Sequence, residues 1–202
     1  MGVRHALKYG GRDGHLKTKT TTMKNLRLLL LIALLGCVHT RSHAQLLALK
    51  SNVLFDAATV PNLSMEIITG GKTSIVGTAF GSKKVWSWDI QTMGVMAEFR
   101  YWFNGRPLTR EFIGTSLMAA TYDITLGGKR RKGDAYAGAL TFGYDLVLSP
   151  HWSVEFHSGV GLLYYDQQRY YIGDRIHDFY YNARGFHLVP YNIGVTFAWI
   201  LK

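Results

Sequence analysis

Toward the C-terminus large apolar side chains alternate with lean ones. Tyr191, Ile193, Val195, Phe197, Trp199 and Leu201 are large, whereas Asn192, Gly194, Thr196 and Ala198 between them are small or polar, with Ile200 the exception. A β-strand sends successive side chains to opposite faces, so the segment predicts a strand with one greasy face and one lean face. The theme recurs. Met93, Val95, Ala97, Phe99 and Tyr101 alternate with Thr92, Gly94, Glu98 and Arg100. Trp152, Val154, Phe156, Val160, Leu162 and Tyr164 stand against Ser153, Glu155, His157, Gly159 and Gly161.

Eight strands are predicted, over residues 47–56, 62–69, 73–80, 90–102, 111–123, 135–148, 152–164 and 188–201. Tight turns at Thr69-Gly70-Gly71-Lys72, Asn104-Gly105 and Ser149-Pro150-His151 take turns with longer polar segments at 81–89, 125–134 and 166–186. Short turns at one end and longer loops at the other are the habit of outer-membrane barrels, and most of the strands reach the roughly 9–11 residues needed to cross. The link at 57–61 is shorter than the other loops. The fold class expected is all-β: an eight-stranded antiparallel up-and-down transmembrane β-barrel. A soluble sandwich would show the same alternation with the greasy face inward. Aromatics near strand ends (Tyr101, Trp102, Phe103, Trp152, Tyr164, Tyr165, Trp199) and a lean face of Gly, Ala, Ser and Thr favour the barrel, with girdles outside and a narrow filled lumen inside.

Composition supports strands: 26 of the 27 Phe, Trp and Tyr follow Ala44, and the chain has 22 Gly against 4 Pro. The formal charge of +10 is unevenly spread. Residues 1–44 hold eight Lys and Arg against one Asp, a net +7, which leaves +3 for residues 45–202. A nucleic-acid-binding domain needs a basic field of its own, so no nucleic-acid partner is expected.

The basic segment reads as an export signal. Met23-Lys24-Asn25-Leu26-Arg27 is a basic start, residues 28–38 are apolar, and Ser42-His43-Ala44 offers a cleavage site before Gln45. The expected organisation is therefore a mis-assigned extension at 1–22, a signal peptide at 23–44 and a barrel at 45–202, placed in a bacterial outer membrane after cleavage near Ala44-Gln45. Cys37, the one cysteine, follows Leu34-Leu35-Gly36, which resembles a lipobox, but it competes with the later cleavage site. Cleavage at Gln45 leaves a chain without thiol or disulfide chemistry.

Chemistry-bearing residues are few. Glu98 and Arg100 share a face by their spacing of two, as do Glu155 and His157; Lys50, Asn52 and Glu66 are expected to join them as a polar network in the lumen. A Glu beside a His suits a proton or metal site, yet no third ligand is placed, and charges inside a narrow barrel pair with each other because unpaired buried charge is costly. No catalytic residue, metal or cofactor is expected. Lys129, Arg130, Arg131 and Lys132 form a basic cluster expected in an outer loop, fit for phosphates of lipopolysaccharide. It is not a P-loop: Asp123 stands where the first Gly belongs and Arg130 where Ser or Thr belongs. Gly159-Val160-Gly161 lacks the third glycine of a dinucleotide fingerprint. In the last outer segment Tyr170, Tyr171, Arg175 and Tyr180 are candidates for loop contact with a partner.

Leu49-Lys50-Ser51-Asn52-Val53-Leu54-Phe55-Asp56, followed by Pro61-Asn62-Leu63-Ser64-Met65-Glu66, resembles the opening motif of a Bacteroidetes outer-membrane family of unknown function, DUF3575. The resemblance continues through Trp86-Ser87-Trp88, Glu98-Phe99-Arg100-Tyr101-Trp102-Phe103, Leu148-Ser149-Pro150-His151-Trp152-Ser153-Val154-Glu155 and Gly159-Val160-Gly161. It implies a small outer-membrane barrel in a Gram-negative bacterium of that phylum and a loose link to fimbria or surface assembly. Many relatives carry paired cysteines in the last outer loop; here 166–186 has none.

The function expected is non-enzymatic: a structural or surface-interaction role in the cell envelope, with membrane lipid, lipopolysaccharide and an envelope protein as partners. Two other readings stand beside it. A soluble or lipid-anchored periplasmic β-barrel binding a small apolar ligand would need its greasy face inward. A lipid-modifying barrel enzyme of the deacylase kind would need His and Ser two apart on the lipid side, whereas His157 and Ser158 are adjacent.

Overall fold

The computed structural model describes residues 46–86, 88–171 and 181–201. The extension, the signal and Cys37 lie outside the described residues, as do Ser87, Arg175 and Tyr180.

Eight strands follow one another: β1 (Leu47–Asn52), β2 (Asn62–Ile68), β3 (Thr73–Ser82), β4 (Asp89–Trp102), β5 (Arg110–Leu126), β6 (Lys129–Val147), β7 (Trp152–Tyr171) and β8 (Ala183–Leu201). Each pairs antiparallel with the next, and β1 returns to Thr196–Leu201 of β8 with Leu49 opposite Trp199, so the strands close into a ring over that span. The all-β, eight-strand antiparallel expectation holds.

Three departures have local causes. β1 stops at Asn52, short of the predicted 47–56, because the chain turns into a short helix, α1 (Val53–Ala57). The Asn52 side chain caps it by accepting from the Leu54 N–H at 3.0 Å, and Asp56 holds the turn back on β1 by accepting from the Ser51 hydroxyl at 2.5 Å. Second, 125–134 is not a loop. Gly127 and Gly128, at φ 58° and 76°, make a two-residue turn between Leu126 and Lys129, a geometry that follows the right-handed twist of a hairpin. Lys129, Arg130, Arg131 and Lys132 therefore lie on β6 and not in an outer loop. In the same way β7 and β8 run on past their predicted ends, so Tyr170 and Tyr171 sit on a strand. Third, β8 carries one extra residue. Gly194 is opposite His157, but Tyr191 is opposite Gly159, and Asn192 between them has φ 45°. The bulge flips Tyr191 from the greasy face to the interior, where its hydroxyl lies 2.8 Å from Ser116 Oγ.

The wall is uneven. β1 to β3 have 6 to 10 residues, whereas β5 to β8 have 17 to 20. The outward face is apolar around the ring: Met93, Leu117, Phe142, Phe186 and Leu188 are more than half exposed. The interior is layered. At the short-turn end Trp102, Phe112, Leu108, Ala48 and Ile200 form an apolar plug. Above it lie buried charges, then a second apolar layer of Met96, Ala137 and Tyr191 with Phe80, Met118 and Leu163.

Candidate functional site

The charged layer is built by inward positions of β1, β2, β4 and β7. Lys50 bridges Glu66 and Glu155, with Nζ 2.6 Å from Glu155 Oε2. Arg100 forks onto Glu98, with Nε to Oε1 at 3.0 Å and Nη2 to Oε2 at 3.2 Å, while its Nη1 reaches Glu155 at 2.7 Å and Glu66 at 3.3 Å. The five side chains are almost wholly buried. Hydroxyl and indole donors complete it: Thr141 donates to Glu98 at 2.7 Å, Ser74 to Glu66 at 2.5 Å, and the Trp102 N–H to Ser74 at 2.8 Å. The guanidinium of Arg100 also lies 4.3 Å above the Phe112 ring, a cation–π contact that ties the charges to the plug.

Asn52 and His157 are buried beside this network without joining its ion pairs. Asn52 spends its oxygen on α1, and His157 Nε2 lies 2.8 Å from Thr196 Oγ1. Both lean on Gly194: a Cβ there would stand 2.1 Å from Asn52 Nδ2 and 2.7 Å from His157 Nε2. Gly114 plays the same part under Glu98, where a Cβ would lie 2.8 Å from Oε1. The lean inner face thus makes room for large polar side chains.

Alternation did not single out Asp145, Ser74 and Thr141. Asp145 lies directly across from Glu155, is buried, and has no well-aligned hydrogen-bond partner on either carboxylate oxygen among the described residues, with Ser153 beside it. Its inward parity between Tyr144 and Leu146 was readable; the absence of a second charge two residues away hid it. Among the described residues four buried carboxylates therefore face two buried cations, Lys50 and Arg100. Among the described residues no group of His, Cys, Asp or Glu could hold a metal ion. Between the ion pairs and the upper layer the free volume is only about 20 Å³, about one water.

Beyond the second apolar layer the long strands β5 to β8 rise into an open cup of about 430 Å³. Its wall carries Arg131, Arg169, Tyr122, Tyr165, Gln167 and His187. The Tyr122 hydroxyl donates to Gln167 at 3.1 Å, and the rings of Tyr165 and His187 stack with centroids 5.4 Å apart. The basic cluster is split by strand parity. Arg131 turns to the cup, Lys132 lines the outer wall, and Arg130 pairs with Asp123 through contacts of 2.8 and 2.5 Å. That pair holds the Asp123 carboxyl below its usual range and raises the Arg130 guanidinium. Lys129 is exposed, with its Nζ 4.8 Å from the centroid of the Tyr171 ring on β7.

A family model described as a protein of unknown function, DUF3575, matches residues 28–201. No curated protein and no solved structure matches the chain.

Proposed function

We propose, for a chain that belongs to the DUF3575 family, that it is an outer-membrane β-barrel without catalytic activity, acting structurally or through surface contacts in the cell envelope. The observation that carries this reading is the inverted distribution of side chains. Large apolar residues stand exposed on the outward wall, among them Leu188 at 76% and Leu117 at 71%, while Lys50, Glu66, Glu98, Arg100 and Glu155 are buried inside. Water would penalise such an outer face, and lipid favours it. Where β1 meets Thr196–Leu201 of β8 the ring is closed, and no strand edge is left unpaired along that span.

The charge-filled interior speaks against a periplasmic carrier of an apolar ligand, which needs an apolar cavity. His157 speaks against a lipid-modifying enzyme, because it points inward and is buried against Thr196. The long walls and the cup of β5 to β8 are the parts available for an envelope partner, including the fimbria or surface assembly suggested by the resemblance.

The deciding experiment is electrophoresis of the purified outer-membrane fraction before and after boiling. The expected result is a band whose mobility changes on boiling, as a closed barrel stays folded in cold detergent. Absence from that fraction with one unchanged band overturns the membrane reading. Deletion of the gene is expected to leave lipid A acylation unchanged, and a changed acyl pattern overturns the non-enzymatic reading.

A further inference from the structure

We propose that a cleft on the outer wall holds a lipid whose headgroup carries a phosphomonoester, its acyl chains on small side chains below and its phosphate against three lysines above. The proposal deepens the membrane reading and rests on it.

The lower part of the cleft is about 720 Å³ and overwhelmingly apolar. Its floor runs from Ala79 of β3 across Val95 of β4 to Ala119 of β5, with Leu63 and Tyr136 as the walls on either side and Met93 rising from β4 between them. The floor continues downward at Gly77, where a Cβ would meet nothing within 4 Å. The upper part, about 730 Å³, shares Gly81, Met93 and Thr121 with the lower and is lined by Lys83, Lys84 and Lys132. One groove therefore runs from apolar to cationic.

The change occurs at a level the rest of the wall also marks. On β6 the outward positions pass from Tyr136 to Asp134 and Lys132, and their partners on β7 pass from Tyr164 to Asp166. The three lysines thus stand just past the apolar belt, where headgroup phosphates lie and each cation adds to lipid affinity. Two of the nearby carboxylates have partners. Asp123 is held by Arg130, and Asp134 accepts from the Tyr181 hydroxyl at 2.9 Å. None of the three lysines makes an ion pair among the described residues. A lysine is a compact point charge that serves phosphate well.

The test titrates the full chain, folded in dodecylmaltoside, with dioleoyl phosphatidic acid or with dioleoylglycerol, and counts adducts by native mass spectrometry. Phosphatidic acid is expected to bind and dioleoylglycerol to bind about ten-fold less, a loss that Lys83→Gln, Lys84→Gln and Lys132→Gln together reproduce for phosphatidic acid. Ala119→Trp, which fills the floor, is expected to displace both lipids. Equal binding of the two lipids, displacement by millimolar inorganic phosphate, or a dimer mass in place of the adduct overturns the proposal. The two-lipid comparison needs no variant, so a variant that fails to fold does not blunt it. Insertion into phosphatidylcholine vesicles, read by the boiling shift, separates the two levels: a chain that never inserts sinks the membrane reading, and one that inserts but ignores the phosphate sinks this one alone.

Discussion

Arg100 carries the largest share of the interior's cohesion, since among the described residues it alone pairs with all three of Glu66, Glu98 and Glu155. Arg100→Met leaves those carboxylates with Lys50 as the sole cation of the layer, and removal of one partner from a buried pair costs about 3–5 kcal/mol. Urea unfolding in lipid vesicles, followed by the boiling shift, is expected to show a loss of that size; a loss under about 1 kcal/mol would mean the network contributes little. Asp145 and Glu155 make a sharper comparison, because they are cross-strand neighbours of like charge with opposite surroundings. Glu155 is held by Lys50 and Arg100, whereas among the described residues Asp145 makes no ion pair and has only Ser153 beside it, without good hydrogen-bond geometry. Asp145→Asn is therefore expected to stabilise by about 1 kcal/mol and Glu155→Gln to destabilise by about 2 kcal/mol or more in the same assay, given the cost of an unpaired buried charge. Matching signs for the two would reject this account. The inward direction of Glu98 and Arg100 was legible from their spacing. Their partners were not, because Lys50 meets Glu155 only once the ring closes through β8, over a separation of 105 residues that no local pattern encodes.

At the scale of elements, the β5–β6 hairpin shows where alternation stops informing. Apolar alternation marks a strand only while one face meets an apolar medium; beyond Asp123 and Asp134 only Ile124 and Leu126 are apolar, and β6 reads Lys129-Arg130-Arg131-Lys132. The strands run on regardless, because Gly127 and Gly128 close the hairpin in register, and the basic residues that resembled a loop are paired backbone. The bulge at Asn192 was equally silent, since one inserted residue leaves the composition unchanged and reverses the facing of Tyr191. The hairpin's ion pair is testable by pH. Asp123 lies below its ordinary carboxyl range in the folded chain, so its contribution is complete above about pH 4, the ordinary range, and fades as pH falls through the lowered folded value. With Arg130 partly exposed, the coupling is expected to be below about 1 kcal/mol. A double-mutant cycle of Asp123→Asn and Arg130→Gln should give a constant coupling from pH 5 to 8 that declines in stronger acid. A coupling that grows in acid would reverse the assigned sign.

Across the whole molecule the count of eight strands was legible because every strand repeats the same two-faced code and every link contains turn chemistry. The height of the wall was not, since it depends on polar strand ends. Together these decide whether the ring can act as a pore. An eight-stranded ring has an interior that side chains fill. Here Trp102 and Phe112 pack at 4.9 Å between centroids across the short-turn end, and the ion pairs above them leave about 20 Å³. A hydrated ion needs a continuous water column, which both layers interrupt. The full chain in a planar bilayer is therefore expected to give no stable conductance steps. Trp102→Ala together with Phe112→Ala removes the plug but not the charged layer, so this variant is expected to stay silent while losing several kcal/mol of stability, as large-to-small aromatic changes in a core do. Steady salt-dependent steps in the wild-type chain would show that the interior opens. Steps only in the plug variant would place the barrier in the aromatic layer and assign the ion pairs to stability alone.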